Sequence, residues 1–295
     1  MRDPRASILD NDPFTKKNDG VRPFNPKKNP KKVSEAPIYQ RFWEISMNQP
    51  TVNHKGNLWH FSKTEKQHLL LATGAFSIAI AFFSVGGIFS LMSTGLIVGL
   101  VEMLVHTPIY ILAIAPAFVL HEIGHKIVAK YYGCWAEFRA DPQGLQTGIL
   151  ISAVIGIIFM SPGAVMVSGM VSKKQNGHIA IAGPLVNLFL FLIAIPLGIL
   201  LFVLMGITET IYPLTSNGLS LKGIGYMTVS TWLWINAILG LFNMLPFGPL
   251  DGLKVKGWSE NYFWLTIVLF GILVYSQFAG YTMGIILSLS NMIIS

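Results

Sequence analysis

The chain has 295 residues, of which 52% are hydrophobic and 12% charged, and its formal net charge is +7. A soluble domain of this length carries about twice that share of charged residues, and the mean hydropathy here is +0.55. The composition therefore argues against a soluble protein and indicates a polytopic membrane protein. The single cysteine, Cys134, excludes an intrachain disulfide and a cysteine-based zinc ribbon.

Most of the positive charge precedes the first apolar segment, since residues 1–68 hold 13 Lys+Arg and 7 Asp+Glu. Residues 1–38 are rich in Pro, Asn, Asp and Lys, and we expect a disordered basic arm on the cytoplasmic side. Residues 39–66 mix aromatic and charged side chains, which is typical of a juxtamembrane segment at the bilayer interface. No basic helix or aromatic-basic motif is present, so we expect no nucleic-acid partner.

From residue 67 onward, apolar segments long enough to cross a bilayer alternate with short polar connections. The predicted spans are 69–92, 107–131, 178–206 and 226–247. Residues 261–295 exceed one span, and a break at 276–280 favours two short helices there. The predicted fold is therefore α-helical and polytopic, with about five to six transmembrane helices and a small membrane-associated β element.

The β element is predicted in residues 145–171, which are apolar but do not resemble a span. The segment is cut at 161–163 by Ser-Pro-Gly, and it contains short runs with β-branched residues at 149–151 and 164–167. Short strands or a re-entrant hairpin fit this pattern better than a crossing helix. Such backbone is tolerated at membrane depth only where protein covers it or where it lines a cavity.

The distribution of basic residues gives the same topology. If the N-terminal arm is cytoplasmic and residues 145–171 turn back without crossing, seven of the eight basic residues after residue 68 face the cytoplasm, and Lys222 alone lies outside. The seven are Lys126, Lys130, Arg139, Lys173, Lys174, Lys254 and Lys256. The positive-inside bias favours this arrangement over one in which the segment crosses.

The apolar helix predicted at 107–131 contains His121-Glu122-Ile123-Gly124-His125. Histidines four residues apart lie on one helix face and can direct both imidazoles at one tetrahedral ion. Glu122 lies close enough to take a proton from a water bound there. The alternative is a polar cluster that holds helices together or conducts protons, but the spacing favours a metal site.

A catalytic zinc needs a third protein ligand. Asp251 follows the predicted span 226–247, which runs in the same direction as 107–131 under the favoured topology. Asp251 then reaches the cytoplasmic half of the membrane, where both histidines lie. The alternative for Asp251 is a turn residue before Gly252.

With these residues the chain resembles the site-2 protease family of intramembrane zinc metalloproteases. Three motifs in the family's order carry the resemblance, which covers roughly residues 67–295. They are the motif at 121–125, Gly183-Pro184-Leu185-Val186-Asn187, and Leu250-Asp251-Gly252 after Asn243-Met244-Leu245-Pro246. A PDZ-like domain and a paired-cysteine zinc finger, both known in the family, have no counterpart in this sequence.

The resemblance implies one catalytic Zn²⁺ bound by His121, His125 and Asp251, with Glu122 as general base. It also implies that Asn187 assists substrate or transition-state binding. The stretch at 163–169 is similar to the family's membrane-embedded strand that pairs with substrate. Its predicted substrate-binding residues are Gly163, Ala164, Val165, Met166 and Val167.

The function expected from these features is intramembrane proteolysis by a zinc metalloendopeptidase, with a transmembrane protein as substrate and the lipid bilayer as environment. The expected location is a prokaryotic plasma membrane, with the protein crossing it several times and the N-terminus cytoplasmic. Two alternatives remain: a metal-ion-binding membrane transporter, and a catalytically inactive relative that binds membrane segments. Internal repeats would favour the transporter, and an intact Glu122 argues against the inactive relative.

Overall fold

The structure is a computed structural model that describes residues 60–295 apart from 159, 161, 170 and 217. The predicted arm at 1–38 and most of the predicted juxtamembrane segment at 39–66 lie outside the described residues. The helices are α1 Lys63–Ser84, α2 Gly87–Thr94, α3 Leu96–Tyr131, α4 Pro142–Ile155, α5 Lys173–Met205, α6 Leu221–Asn243, α7 Asp251–Trp258, α8 Glu260–Phe278 and α9 Tyr281–Ile294. The strands are β1 Trp135–Ala140, β2 Gly163–Ser168, β3 Leu214–Thr215 and β4 Gly218–Leu219.

Five of the described helices, α1, α3, α5, α6 and α8, are long and apolar enough to cross a membrane, and α9 is a shorter apolar helix. The predicted helical polytopic fold is thereby confirmed. The predicted division of residues 261–295 into two helices is also confirmed, because α8 ends at Phe278 and α9 begins at Tyr281. Gly280 between them has φ +71°, a conformation that residues with a side chain rarely adopt.

Two predicted spans have other bounds in the structure. The predicted span 69–92 is broken into α1 and α2, because Gly86 and Gly87 both have positive φ and end the helix there. The span predicted at 107–131 begins eleven residues earlier, since α3 starts at Leu96 and has 36 residues. Apolar composition alone does not locate such breaks and extensions.

The segment predicted to turn back does so, although its first half is helical. Residues 149–151, predicted as a possible strand, lie inside α4, which begins after the N-cap residue Asp141 with a proline at its first turn. The strand predicted at 164–167 is confirmed as part of β2, which pairs antiparallel with β1 from Trp135↔Ser168 to Ala140↔Gly163. The chain leaves β1 at Ala140, runs through α4 and returns in β2 at Gly163, which pairs with Ala140. The segment therefore begins and ends at the same end of the two-stranded sheet.

Two apolar cores flank the centre of the bundle. One joins α1, α3, β1 and α4 around Phe76, Phe118 and Phe138. The other joins α5, α6 and α9 around Phe191 and Phe202. Helix α5 packs along α3, α6 and α7, and this contact brings three separate parts of the sequence to one point.

Candidate metal centre

Three buried side chains from two distant parts of the chain converge where α3, α5 and α7 meet. The distance between His121 Nε2 and His125 Nε2 is 3.1 Å. Asp251 Oδ2 lies 3.3 Å from His121 Nε2 and 3.0 Å from His125 Nε2. The structure thus brings together the three residues that the sequence predicted as metal ligands.

The Nδ1 atom of each histidine, here called the outer nitrogen, is held by a hydrogen-bond partner, and Nε2 points towards the other ligands. His125 Nδ1 lies 2.7 Å from the carbonyl oxygen of Ile179, which can only accept, so Nδ1 carries the proton. His121 Nδ1 lies 2.5 Å from Asn187 Oδ1. Both imidazoles therefore direct Nε2 towards Asp251, which is the arrangement that metal-binding histidines adopt.

Asp251 reaches this point because it is the first residue of α7, not a residue of a turn. Gly252 follows it against the carbonyl oxygen of Met244, where a Cβ atom would overlap with the backbone. Burial on its own raises the pKa of Asp251, but the neighbouring His125 and Lys254 lower that pKa well below its usual value. Lys254 Nζ lies 3.3 Å from Oδ1, so the carboxylate is anionic and presents Oδ2 to the histidines.

The donor set fits zinc. Ligand bonds of about 2.0–2.1 Å in a tetrahedron place neighbouring donor atoms about 3.3 Å apart, and the three distances here are 3.0, 3.1 and 3.3 Å. Two imidazole nitrogens and a carboxylate oxygen are ordinary zinc ligands. These three donor atoms are buried and converge on one point, as the ligands of a single ion must.

Two glycines let α3 and α5 approach closely enough to form this site. A Cβ atom at Gly124 would lie 2.8 Å from Val186 Cγ2 and 3.0 Å from the carbonyl oxygen of Ala182. A Cβ atom at Gly183 would overlap with Nε2 of both histidines. The first glycine of the Gly183–Asn187 motif is therefore required by the space around the histidines.

Glu122 lies beside the three ligands on α3 and is half-buried. Within the part of the chain that the structure describes, its carboxylate makes no hydrogen bond or ion pair. A carboxylate that is not already bound to another group can accept a proton from a reacting molecule. Its position is therefore compatible with the predicted role of general base.

Asn187 has partners other than those predicted for it. Its side chain is fully buried, its Oδ1 faces His121, and its Nδ2 donates to Asn236 Oδ1 at 3.0 Å and to the Ala117 carbonyl oxygen at 3.2 Å. Both amide hydrogens are engaged within the protein, so neither is available for a substrate carbonyl. These contacts support a role in holding His121, and the role in substrate or transition-state binding stays a prediction.

The sequence analysis did not single out Asn236, which is fully buried on α6. An asparagine in an apolar helix was the available signal, since an amide at membrane depth needs partners. The sequence analysis also gave Lys254 no role at the site. The Asp251–Lys254 pair depends on the helix that starts at Asp251, which the sequence analysis did not predict.

A second buried polar cluster, here called the ion-pair cluster, begins one residue after His125. Lys126 Nζ lies 2.7 and 2.9 Å from the two carboxylate oxygens of Glu65 on α1. In β1, Arg139 donates to Glu137 Oε2 at 2.7 Å, and Ser62 donates to the same oxygen at 2.9 Å. All five side chains are buried. The cluster fastens α1 and β1 to the inner end of α3.

The two edges of the β1–β2 sheet differ. On the outer edge of β1, the backbone N–H of Phe138 donates to Glu65 Oε1 at 3.3 Å and that of Ala140 donates to His68 Nδ1 at 3.1 Å. Because backbone groups alternate in direction along a strand, β1 residues 135, 137 and 139 face β2. Their partners in the register are residues 168, 166 and 164.

In β2, by the same alternation, the N–H and C=O groups of 163, 165 and 167 point away from β1. Among the described residues, the N–H groups of Val165 and Val167 have no acceptor. Every residue of β1 is buried, whereas every residue of β2 is half-buried. One edge of the sheet is therefore sealed by α1 and the other is open for pairing.

Comparison with known proteins finds three relatives with related names. "Putative zinc metalloprotease MJ0611" of Methanocaldococcus jannaschii is 32% identical over 225 residues, which are 75% of this chain and 99% of that protein. "Putative zinc metalloprotease YwhC" of Bacillus subtilis is 30% identical over 162 residues, which are 50% of this chain and 67% of that protein. No family model and no solved structure matches the chain.

The chain belongs to this family of zinc metalloproteases. A further relative, "Zinc metalloprotease MJ0392" of M. jannaschii, is 29% identical over 137 residues, 46% of this chain and 30% of that protein. Family membership agrees with the chemistry of the site, since His121, His125 and Asp251 supply nitrogen and oxygen donors suited to zinc.

Proposed function

We propose that this chain is an intramembrane zinc metalloendopeptidase that hydrolyses peptide bonds of transmembrane protein substrates. The observation that carries the proposal is that two of the three ligands, His121 and His125, lie inside a helix suited to span a membrane. His121 lies ten residues before the end of the 36-residue helix α3, which corresponds to about 15 Å along the helix axis. A metal site at that depth is accessible to peptide bonds within the bilayer.

The side chains around the site have complementary roles in this reaction. His121, His125 and Asp251 would hold one Zn²⁺, which when bound supplies Lewis-acid polarisation of the scissile carbonyl and acidification of a water molecule. Glu122 would accept a proton from the attacking water and deliver it to the leaving amide nitrogen. The ligands need no rearrangement, because hydrogen bonds to Asn187 and Ile179 already fix both imidazoles.

The open edge of β2 provides a place for the substrate backbone. A transmembrane helix hides its peptide bonds in its own hydrogen bonds and must unwind locally before cleavage, which leaves backbone groups in need of partners. An extended segment that pairs with β2 would satisfy them by strand addition. The outward groups of Gly163, Val165 and Val167 would set the register, while Ala164 and Met166 pair inward with β1.

The charge distribution supports a cytoplasmic N-terminus and a site in the cytoplasmic half of the membrane, which we propose to be a prokaryotic plasma membrane. Lys126 and Lys130 follow the site on α3, and Lys254 and Lys256 follow Asp251 on α7. Water and products would then exchange with the cytoplasm.

The proposal is tested with Glu122→Gln in the purified full-length chain, reconstituted in liposomes with transmembrane peptides. We expect the variant to keep zinc at the wild-type stoichiometry, measured by elemental analysis, and to lose peptide cleavage, measured by mass spectrometry. Glu102→Gln, which removes a carboxylate at the other end of the same helix, is the matched control and should cleave normally.

Cleavage by Glu122→Gln at the wild-type rate would overturn the assignment of the base. The position of the cut tests the intramembrane part separately. We expect cleavage sites within the apolar segment of the peptide, and cleavage confined to its water-soluble flanks would contradict intramembrane proteolysis.

A further inference from the structure

A line of hydrogen bonds connects the outer nitrogen of His121 to the backbone of α6, across three helices. His121 Nδ1 on α3 lies 2.5 Å from Asn187 Oδ1 on α5. Asn187 Nδ2 donates to Asn236 Oδ1 on α6 at 3.0 Å, and also to the carbonyl oxygen of Ala117 at 3.2 Å. Asn236 Nδ2 in turn donates to the carbonyl oxygen of Trp232 at 2.9 Å.

The direction of these hydrogen bonds is fixed at two points by backbone carbonyls, which can only accept. The Trp232 carbonyl requires the amide nitrogen of Asn236, so the oxygen of Asn236 faces Asn187. The Ala117 carbonyl independently requires the amide nitrogen of Asn187. The oxygen of Asn187 therefore faces His121, whose Nδ1 must donate and whose Nε2 points towards Asp251.

The two histidines differ in how they are held. His125 is oriented by a backbone carbonyl, that of Ile179. His121 is oriented by two side-chain amides, Asn187 and Asn236, both completely buried. Buried amides are costly unless every donor and acceptor finds a partner. Asn236 makes no contact with any of the three ligands itself, and what it adds is a defined orientation of Asn187.

We propose that Asn236 is a positioning residue of the metal centre, acting through Asn187 on His121 so that the imidazole is held with Nε2 aimed at the ion. The proposal rests on the proposed metal site, and it deepens that site by adding a third helix to its support. Helix α6 then contributes to the site in two ways: it carries Asn236, and it is followed by the connection that leads to Asp251.

The test is a double-mutant cycle on zinc affinity, measured in the purified chain by competition with a chromophoric chelator. We expect Asn236→Leu to weaken zinc binding by about tenfold and Asn187→Leu by about tenfold to a hundredfold, the range found for groups that orient metal ligands. In the Asn187→Leu background, Asn236→Leu should have no further effect, because its route to His121 is already removed. Additive losses would overturn the relay.

A spectroscopic signature separates positioning from general loss of structure. With Co²⁺ in place of zinc, Asn236→Leu should shift the visible absorption bands, and the two variants containing Asn187→Leu should give one identical spectrum. Thr228→Val is the matched control, since Thr228 makes the same bond to a carbonyl four residues earlier on α6, that of Ile224. It should leave affinity and spectrum unchanged.

Asn236→Thr keeps the test decisive if the leucine variant does not fold. Its hydroxyl can still donate to Trp232 and accept from Asn187, so we expect zinc affinity within about threefold of wild type. A loss larger than tenfold in folded Asn236→Thr, or wild-type affinity and spectrum in folded Asn236→Leu, would contradict the proposal. Zinc binding without peptide cleavage in the wild-type chain would overturn the proposed function alone, because the relay is measured on metal binding.

Discussion

Helix α3 carries two buried polar clusters side by side, and they differ in how their polar atoms are satisfied. In the ion-pair cluster, Lys126 meets Glu65 and Arg139 meets Glu137, each at 2.7 Å. In the metal triad, three ligand atoms face one another at 3.0 to 3.3 Å. The first cluster pairs opposite charges within the protein, whereas the second has the arrangement of a ligand set for a metal ion.

The difference shows why burial of polar residues is not in itself a sign of function. His125 and Lys126 are neighbours in sequence, but successive helical residues point about 100° apart, so the two side chains enter different surroundings. One side of α3 meets α5 and α7 and forms a binding site, and the other meets α1 and β1 and forms a structural clamp. The predictions below test this division, from the largest expected effect to the smallest.

Asp251→Ala should have the largest effect. If three ligands share a zinc-binding free energy on the order of 10–16 kcal/mol, the loss of one weakens binding by about 3–5 kcal/mol, or roughly two hundredfold to several thousandfold. Zinc content after dialysis against a weak chelator measures this. The control is Glu260→Ala, an exposed acidic residue at the start of α8. Wild-type zinc content in Asp251→Ala would remove Asp251 from the ligand set.

Lys126→Met should lower the free energy of unfolding by about 3–5 kcal/mol, because it leaves the buried carboxylate of Glu65 without its counter-ion. Adding Glu65→Gln should restore most of this stability, since glutamine still accepts from the Phe138 N–H. Denaturation in mixed micelles measures the free energy of unfolding of the wild type, the single variant and the double variant. The folded fraction of each variant should hold wild-type zinc, and a loss of zinc without loss of stability would show that the two clusters are not separate.

Gly183→Ala should weaken zinc binding by about a hundredfold, or about 2.7 kcal/mol, because its Cβ occupies the space of both Nε2 atoms. Helix stability should not fall, since alanine is the better helix former. Gly257→Ala is the control, because a Cβ there meets no atom within 4 Å. Tight zinc binding by folded Gly183→Ala would mean that the helices separate more easily than the structure indicates.

Val165→Pro tests the open edge of the sheet and should have the smallest effect. Proline is tolerated on an edge strand where its missing N–H would face outward, so the fold should remain. Loss of one hydrogen bond to substrate should reduce cleavage by about tenfold. Val165→Ala keeps the N–H and is the control. Equal cleavage by the proline and alanine variants would argue against pairing of substrate with β2.

The part of the site that the sequence predicts depends on residues close in sequence and on the order of the spans. The spacing of His121 and His125 places them on one helix face whatever the rest of the chain does. Apolar length identified the spanning helices, and the lysine pattern identified a segment that turns back, which the pairing of β1 with β2 confirms. Asp251 could be predicted as the third ligand because topology limits which residues reach the same depth and because the resemblance to the site-2 protease family implies it.

Other features depend on which elements become neighbours. Strand β1 carries the charged residues Glu137 and Arg139, both fully buried. Charged residues are rarely buried unless they are paired, so the sequence did not predict this strand. The ion-pair cluster makes its burial possible. Residues 149–151 favour a strand by composition, yet they are helical because α4 begins at the Asp141-Pro142 start and packs along α1. Local preference is weak beside such contacts.

The sequence by itself predicted the class of the molecule and its central chemistry: apolar helices, two histidines on one helix face with a glutamate beside them, and an aspartate delivered to their depth. Only the tertiary structure decided how the ligands are held, because hydrogen bonds such as those of Asn187 with His121 and Asn236 join helices far apart in sequence. Helical periodicity fixes which side chains share a face of one helix. It does not fix which face of the next helix they meet.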